Sequence, residues 1–177
     1  MSQSAIPVGP QRYRESFGRH YEDFVVGDVY EHRPGRTVTQ ADNTWFTLLT
    51  MNTHPLHFDD EYGKASEFGR CIVASPLTLA ILVGMSVTDV SQKAIANLGW
   101  REIRMTAPVF AGDTLYAETE VLEKRDSKSR PTAGLVTVST IGRNQTGAEI
   151  CRFERTILVA RRGHSVEDKL LHRTPSP

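Results

Sequence analysis

Residues 74–90 read ASPLTLAILVGMSVTDV. From Leu77 to Val87 the only polar side chains are Thr78 and Ser86, so apolar groups fall on nearly every face of a helix. Such a helix is stable only when protein surrounds it. Ser75 is a good N-cap, and Pro76 suits the first helical position, where a missing N–H costs nothing. The whole apolar run, Ile72 to Val87, is too short for a bilayer span and carries Ser75, Pro76, Thr78 and Gly84. A helix buried in a soluble protein is expected.

The second half of the chain supplies the surround. In DTLYAETEVLEKR, Leu115, Ala117, Thr119 and Val121 alternate with Glu118 and Glu120. EICRFERTILVARR puts Cys151, Phe153, Ile157 and Val159 on one face, and GLVTVSTIGRN is also strand-like. NQTG between the last two is a hairpin turn. LGWREIRMTAPV and GDVYEHRPGRTV add two more strands. About five antiparallel strands around one apolar helix make an α+β domain.

At 177 residues the chain is expected to hold one domain, residues 21–162, between a polar, mobile segment (1–20) and a tail (163–177). Twenty-one Lys plus Arg balance 21 Asp plus Glu, which asks for neither nucleic acid nor membrane as the main partner. Cys71 and Cys151 are widely spaced and read as buried thiols in a reducing cytoplasm. MSQSAIPVGPQR lacks the apolar core of a signal peptide.

Upstream, TVTQADNTWFTLLT reads as a helix opening at Thr39, with Asp42 completing a capping box and Trp45, Phe46 and Leu49 as its apolar face. It delivers the chain into MNTHPLHFDDEY, residues 51–62, which crowds two histidines and three carboxylates around Pro55. Three readings are open. A zinc site needs three or four convergent ligands, and Pro55 works against convergence of His54 and His57. A polar loop could leave His57 bonded to a backbone carbonyl. A catalytic loop would use a histidine as a proton shuttle near neutrality, opposite the free N–H groups and positive dipole end of the helix that starts at Ser75. That layout suits chemistry beside a thioester carbonyl.

These stretches, taken in order, resemble the MaoC-like dehydratases, which include the (R)-specific enoyl-CoA hydratases of the hot-dog fold. NTHPLHFDDEY is similar to the hydratase signature Asp-x-Asn-Pro-(Leu/Ile)-His-x-Asp. FGRCIVASPLTLAIL stands at the lead into the central helix, and APVFAGDTL and NQTGAEI match the family's Pro-Val-x-x-Gly-Asp-Thr and Asn-Gln-x-Gly turns. NTHPLHFD, VASPLTLA and ANLGW look closest to a subgroup associated with mesaconyl-CoA and itaconyl-CoA hydration.

The resemblance implies an acyl-CoA thioester as substrate, no metal and no cofactor beyond the substrate's own CoA, and a homodimer with a continuous sheet. It implies His57 as general acid/base. Asn52 stands where the family has a catalytic Asp, and would position water; Asp42 or Asp59 could stand in for the lost carboxylate. The family's His-Gly is Ala74-Ser75 here, which leaves the Ser75 N–H for the thioester oxygen. His54 replaces the family's Asn and is expected to matter much less than His57. Arg101 and Arg104 are candidates for holding a substrate carboxylate. Thioester hydrolysis is an alternative, opposed by the lack of Asp or Glu between Pro76 and Thr88. A non-catalytic acyl-CoA-binding or structural subunit is another.

Overall fold

The computed structural model describes residues 5–171; the first four and last six residues of the expected terminal segments lie outside them. Its centre is a five-stranded antiparallel sheet in the order β3-β5-β6-β7-β4. The strands are β3 (Val29–Thr37), β4 (Ala94–Met105), β5 (Thr114–Asp126), β6 (Ala133–Arg143) and β7 (Glu149–Ala160). The alternation in β5 sets its register, since Leu115, Ala117, Thr119 and Val121 are all buried. Against this face lies α3 (Ser75–Met85), with Leu77 and Leu82 in one core with Leu115, Ala117, Ile150, Cys151 and Phe153. Gly142 of β6 allows the close approach, because a Cβ there would stand 2.4 Å from Leu82.

Polar groups fix the far end of α3. The inward face of β7 includes Arg155, 1% exposed, which the strand's apolar pattern does not announce. Its Nη2 donates to Ser86 Oγ at the α3 C-cap (2.7 Å), where a cation complements the helix dipole. Burial pushes this guanidinium's pKa down to about 10, and among the described residues its Nε finds no acceptor. Beside it, buried His32 bridges Asp89 (Nδ1, 2.8 Å) and Thr119 (Nε2, 2.7 Å).

Three expectations are corrected. Ala74, not Ser75, caps α3: its backbone is extended and its carbonyl accepts from both Leu77 and Thr78, so Ser75 is already the first helical residue. Nor does protein surround α3 entirely, because Ala80 and Gly84 are exposed, as is Thr88 in the turn that follows. The helix α1 (Gln40–Thr50) buries Asn43 and Thr47, while Trp45 and Leu49 are 66% and 79% exposed. Its Thr39–Asp42 capping box forms as expected.

Structure extends beyond the expected body. β1 (Ala5–Gly9) and β2 (Arg12–Glu15) pair as a hairpin, and α4 (Val166–Leu171) follows the sheet. Lys93 ties these segments to the sheet through Ser16 (3.0 Å) and Glu167 (2.7 Å), and His20 bonds Asp168 (3.0 Å). Among the described residues no helix is long and apolar enough to cross a membrane.

Candidate active site

α1 stops at Met51, whose left-handed backbone (φ 57°) turns the chain away from the helix axis. Asn52 then makes a local turn, its Oδ1 accepting from the His54 N–H at 3.2 Å. Pro55 opens a single 3-10 turn, Pro55–His57, since its fixed φ suits a first helical position. Asp59 accepts from the N–H groups of Glu61 (3.0 Å) and Tyr62 (3.1 Å) and so caps the short helix α2 (Asp60–Ala65). The loop is thus a chain of local caps, each made by a residue type suited to it.

One buried side chain joins this loop to the start of α3. Asn43 Nδ2 donates to the carbonyls of His57 (2.8 Å) and Ile72 (3.0 Å), and its Oδ1 accepts from the Ala74 N–H (2.9 Å). Gln40 adds a second donor to the His57 carbonyl at 2.9 Å. The His57 ring completes the junction, with Nδ1 3.0 Å from the Ile72 carbonyl. A carbonyl only accepts, so Nδ1 carries the hydrogen and Nε2 of the neutral ring keeps its lone pair. His57 is partly buried, and that Nε2 is the basic atom of the loop.

At the helix start, Ala74's N–H is taken by Asn43, Pro76 has none, and Leu77's is bonded to Ala74 (2.9 Å). Among the described residues only the Ser75 N–H of this turn is without an acceptor, and it lies at the positive end of an 11-residue helix. Ile72, Val73, Ser75 and Thr78 line a cleft of about 240 Å³, closed on its other side by residues 105–109. A larger groove of about 880 Å³ between α1, α3 and residues 33–36 is lined by Asp42 but by none of Asn52, His57, Ser75, Arg101 or Arg104.

The fold therefore ties the His57 loop to the start of α3. The His57 ring bonds the Ile72 carbonyl, three residues before Ser75 in the chain, and Asn43 links the His57 carbonyl to the Ala74 N–H. His57 itself does not line the cleft beside Ser75. Asn52 lies in the same loop as His57, with its side-chain oxygen committed to the turn. Neither proposed substitute carboxylate is free. Asp42 is held by the Thr39 N–H (2.8 Å) and Arg36 (2.7 Å), which with the Thr39 hydroxyl keep its pKa below the usual range, and Asp59 is a helix cap. Arg101 and Arg104 do not line the cleft; on the exposed edge of β4 they bond Glu154 (2.6 Å) and Glu102 (2.8 Å). Asn43 is the residue of this junction that sequence reading passed over. Nothing in the sequence sets it apart from the other polar residues of α1.

Residues 23–144 match the family described as MaoC like domain. The chain is 34% identical to mesaconyl-CoA hydratase of Cereibacter sphaeroides over 82% of its own length, but spans only 42% of that protein. A solved MaoC-like dehydratase from Rhodospirillum rubrum superposes with a TM-score of 0.73 at 32% identity, over 82% of this chain and 99% of the other. A Mycobacterium tuberculosis protein described as a double hot-dog fold, 22% identical, has a TM-score of 0.75 over 90% of this chain and 52% of its own. This chain belongs to the MaoC-like domain family and has its hot-dog fold.

Proposed function

We propose that the protein adds water to, or removes it from, a short 2-enoyl-CoA thioester. The observation that carries this reading is the Asn43 junction, which holds the His57 loop against a helix start whose Ser75 N–H is free. The thioester oxygen accepts from the Ser75 N–H, where the helix dipole favours the negative charge that builds as water attacks C3. His57 Nε2 takes the proton from that water, and the same proton goes to C2 as the electron pair returns from the oxygen. The contact at Ser75 strengthens as charge develops, and so accelerates the step rather than only binding substrate. Reversal dehydrates a 3-hydroxyacyl thioester. Each step is a proton transfer or an oxyanion contact, so the reading assigns no metal or redox group, and CoA arrives with the substrate.

The similarity to a mesaconyl-CoA hydratase favours a branched, dicarboxylic acyl group. Arg101 and Arg104 are candidates for its free carboxylate only if they exchange Glu154 and Glu102 for it. We also infer a homodimer joined along β4, a 12-residue edge strand with Ile95, Leu98, Trp100, Ile103 and Met105 exposed. A stable monomer in sedimentation at micromolar concentration overturns that assembly.

Asn52 supports one competing reading, a subunit that binds acyl-CoA without turning it over, because an amide cannot accept a proton at neutral pH. Incubation with mesaconyl-CoA, itaconyl-CoA and crotonyl-CoA separates the outcomes. Loss of the enoyl-thioester absorbance without release of free thiol is expected. Thiol release would indicate hydrolysis, and binding with neither change would indicate the non-catalytic subunit.

A further inference from the structure

The two histidines of the loop differ in which nitrogen the backbone engages. His57 Nδ1 faces a carbonyl and must donate, whereas His54 Nδ1 lies 3.2 Å from the Leu56 N–H and must accept. A neutral His54 therefore carries its hydrogen on Nε2, and a neutral His57 carries its lone pair there. The ring centroids are 5.8 Å apart, and Tyr62 meets His54 edge-on at 5.7 Å. Asn52 fixes the backbone of His54 through the turn described above. Two metal ligands would both need free lone pairs; this pair offers one donor and one acceptor.

We propose that His54 is a second catalytic residue, holding the reacting water between its own Nε2–H and the Nε2 of His57. This deepens the hydratase reading and rests on it. The water oxygen accepts from His54 and keeps its other lone pair for C3. Its proton passes to His57 as the O–C3 bond forms, and then from His57 to C2; His54 gains and loses none. In the reverse direction the His54 donor stabilises the departing hydroxide. The vacancy left by Asn52 is filled from two residues along, and Asn52 serves by shaping the turn that presents His54. The smaller role expected for His54 followed from its position in the motif; the direction of its Nδ1 bond was not visible there.

The test uses the full chain, its His54→Ala, His54→Gln and His57→Ala variants, and crotonyl-CoA and mesaconyl-CoA. His54→Ala is expected to lower kcat on the order of 10²-fold, the usual cost of removing one donor from a developing oxyanion, with KM little changed. His54→Gln, whose amide can donate, recovers most of that loss. Wild-type turnover in His54→Ala beside a dead His57→Ala overturns the pair and leaves the hydratase reading intact; no hydration by wild type overturns both. Independently of activity, ¹⁵N spectra of the resting protein at neutral pH are expected to show His57 protonated on Nδ1 and His54 on Nε2. The same tautomer on both rings refutes the assignment.

Discussion

Replacing Asn43 by Ala should damage stability and turnover together, and the structure sets the size of the first effect. Three hydrogen bonds are lost, but unequally. The His57 carbonyl keeps Gln40 as a donor, and the Ile72 carbonyl keeps the His57 ring. The N–H of Ala74, a fully buried residue, has no second acceptor among the described residues. Orphaning it costs about 1–3 kcal/mol, and each of the other two bonds about 0.5–1.5 kcal/mol. The sum is about 4 kcal/mol, a large share of the roughly 5–15 kcal/mol that holds a domain together. For a domain of this size that lowers Tm by about 8–16 °C. Asn43→Asp keeps an acceptor for Ala74 but sets a carboxylate oxygen against two carbonyls, so it should destabilise at least as much. Thermal unfolding measures the loss, and amide hydrogen exchange at Ala74 reports whether the junction opened. A variant that melts with wild type and keeps Ala74 protected would refute the reasoning. Any turnover measured below the melt should fall as well, since small misplacements of a catalytic group can cost on the order of 10²-fold.

Two other perturbations follow from neighbouring groups. Burial, opposed by Asp89 and assisted by Arg155 and Arg19, holds the His32 pKa below its ordinary value, so the unfolded chain binds its proton first. Stability should therefore fall as pH drops below about 6.5, and urea midpoints of His32→Gln should lack that part of the loss. Asn52→Asp should fold normally, because a carboxylate can accept the same His54 N–H. Its KM should rise more for mesaconyl-CoA than for crotonyl-CoA if the substrate's own carboxylate approaches, and equal kinetics would remove position 52 from the site.

The parts of this molecule that local chemistry controls were readable in advance. The Thr39–Asp42 cap needs only residues three apart, and the two-residue alternation of β5 is enforced by a core on one side. The motif around His57 was legible by resemblance, and the bond of its ring to a backbone carbonyl, that of Ile72, is the one the polar-loop reading foresaw. What failed were inferences that needed a partner from elsewhere. Trp45 and Leu49 made an apolar face in the sequence, yet α1 turns Asn43 and Thr47 inward because three backbone groups from two other segments converge on that amide. Arg155 interrupts an apolar strand pattern, and its reasons lie on other elements: Ser86 at the end of α3, and Asn97 and Trp100 of β4. The α3 cap moved from Ser75 to Ala74 for the same kind of reason, because Asn43 and the extended backbone at Ala74 set the first turn.

The central claim, proton transfer by His57 at the start of α3, is tested most directly by His57→Gln. The glutamine amide can still donate to the Ile72 carbonyl, as Nδ1 does, but it cannot take a proton from water. With wild-type hydration of crotonyl-CoA or mesaconyl-CoA as the reference, turnover should fall by about 10²–10⁴-fold, the span of a general acid–base group, while the fold and Tm are retained. Added chelator should change neither enzyme. Full turnover without the imidazole, or wild-type activity lost to chelator, would contradict the account.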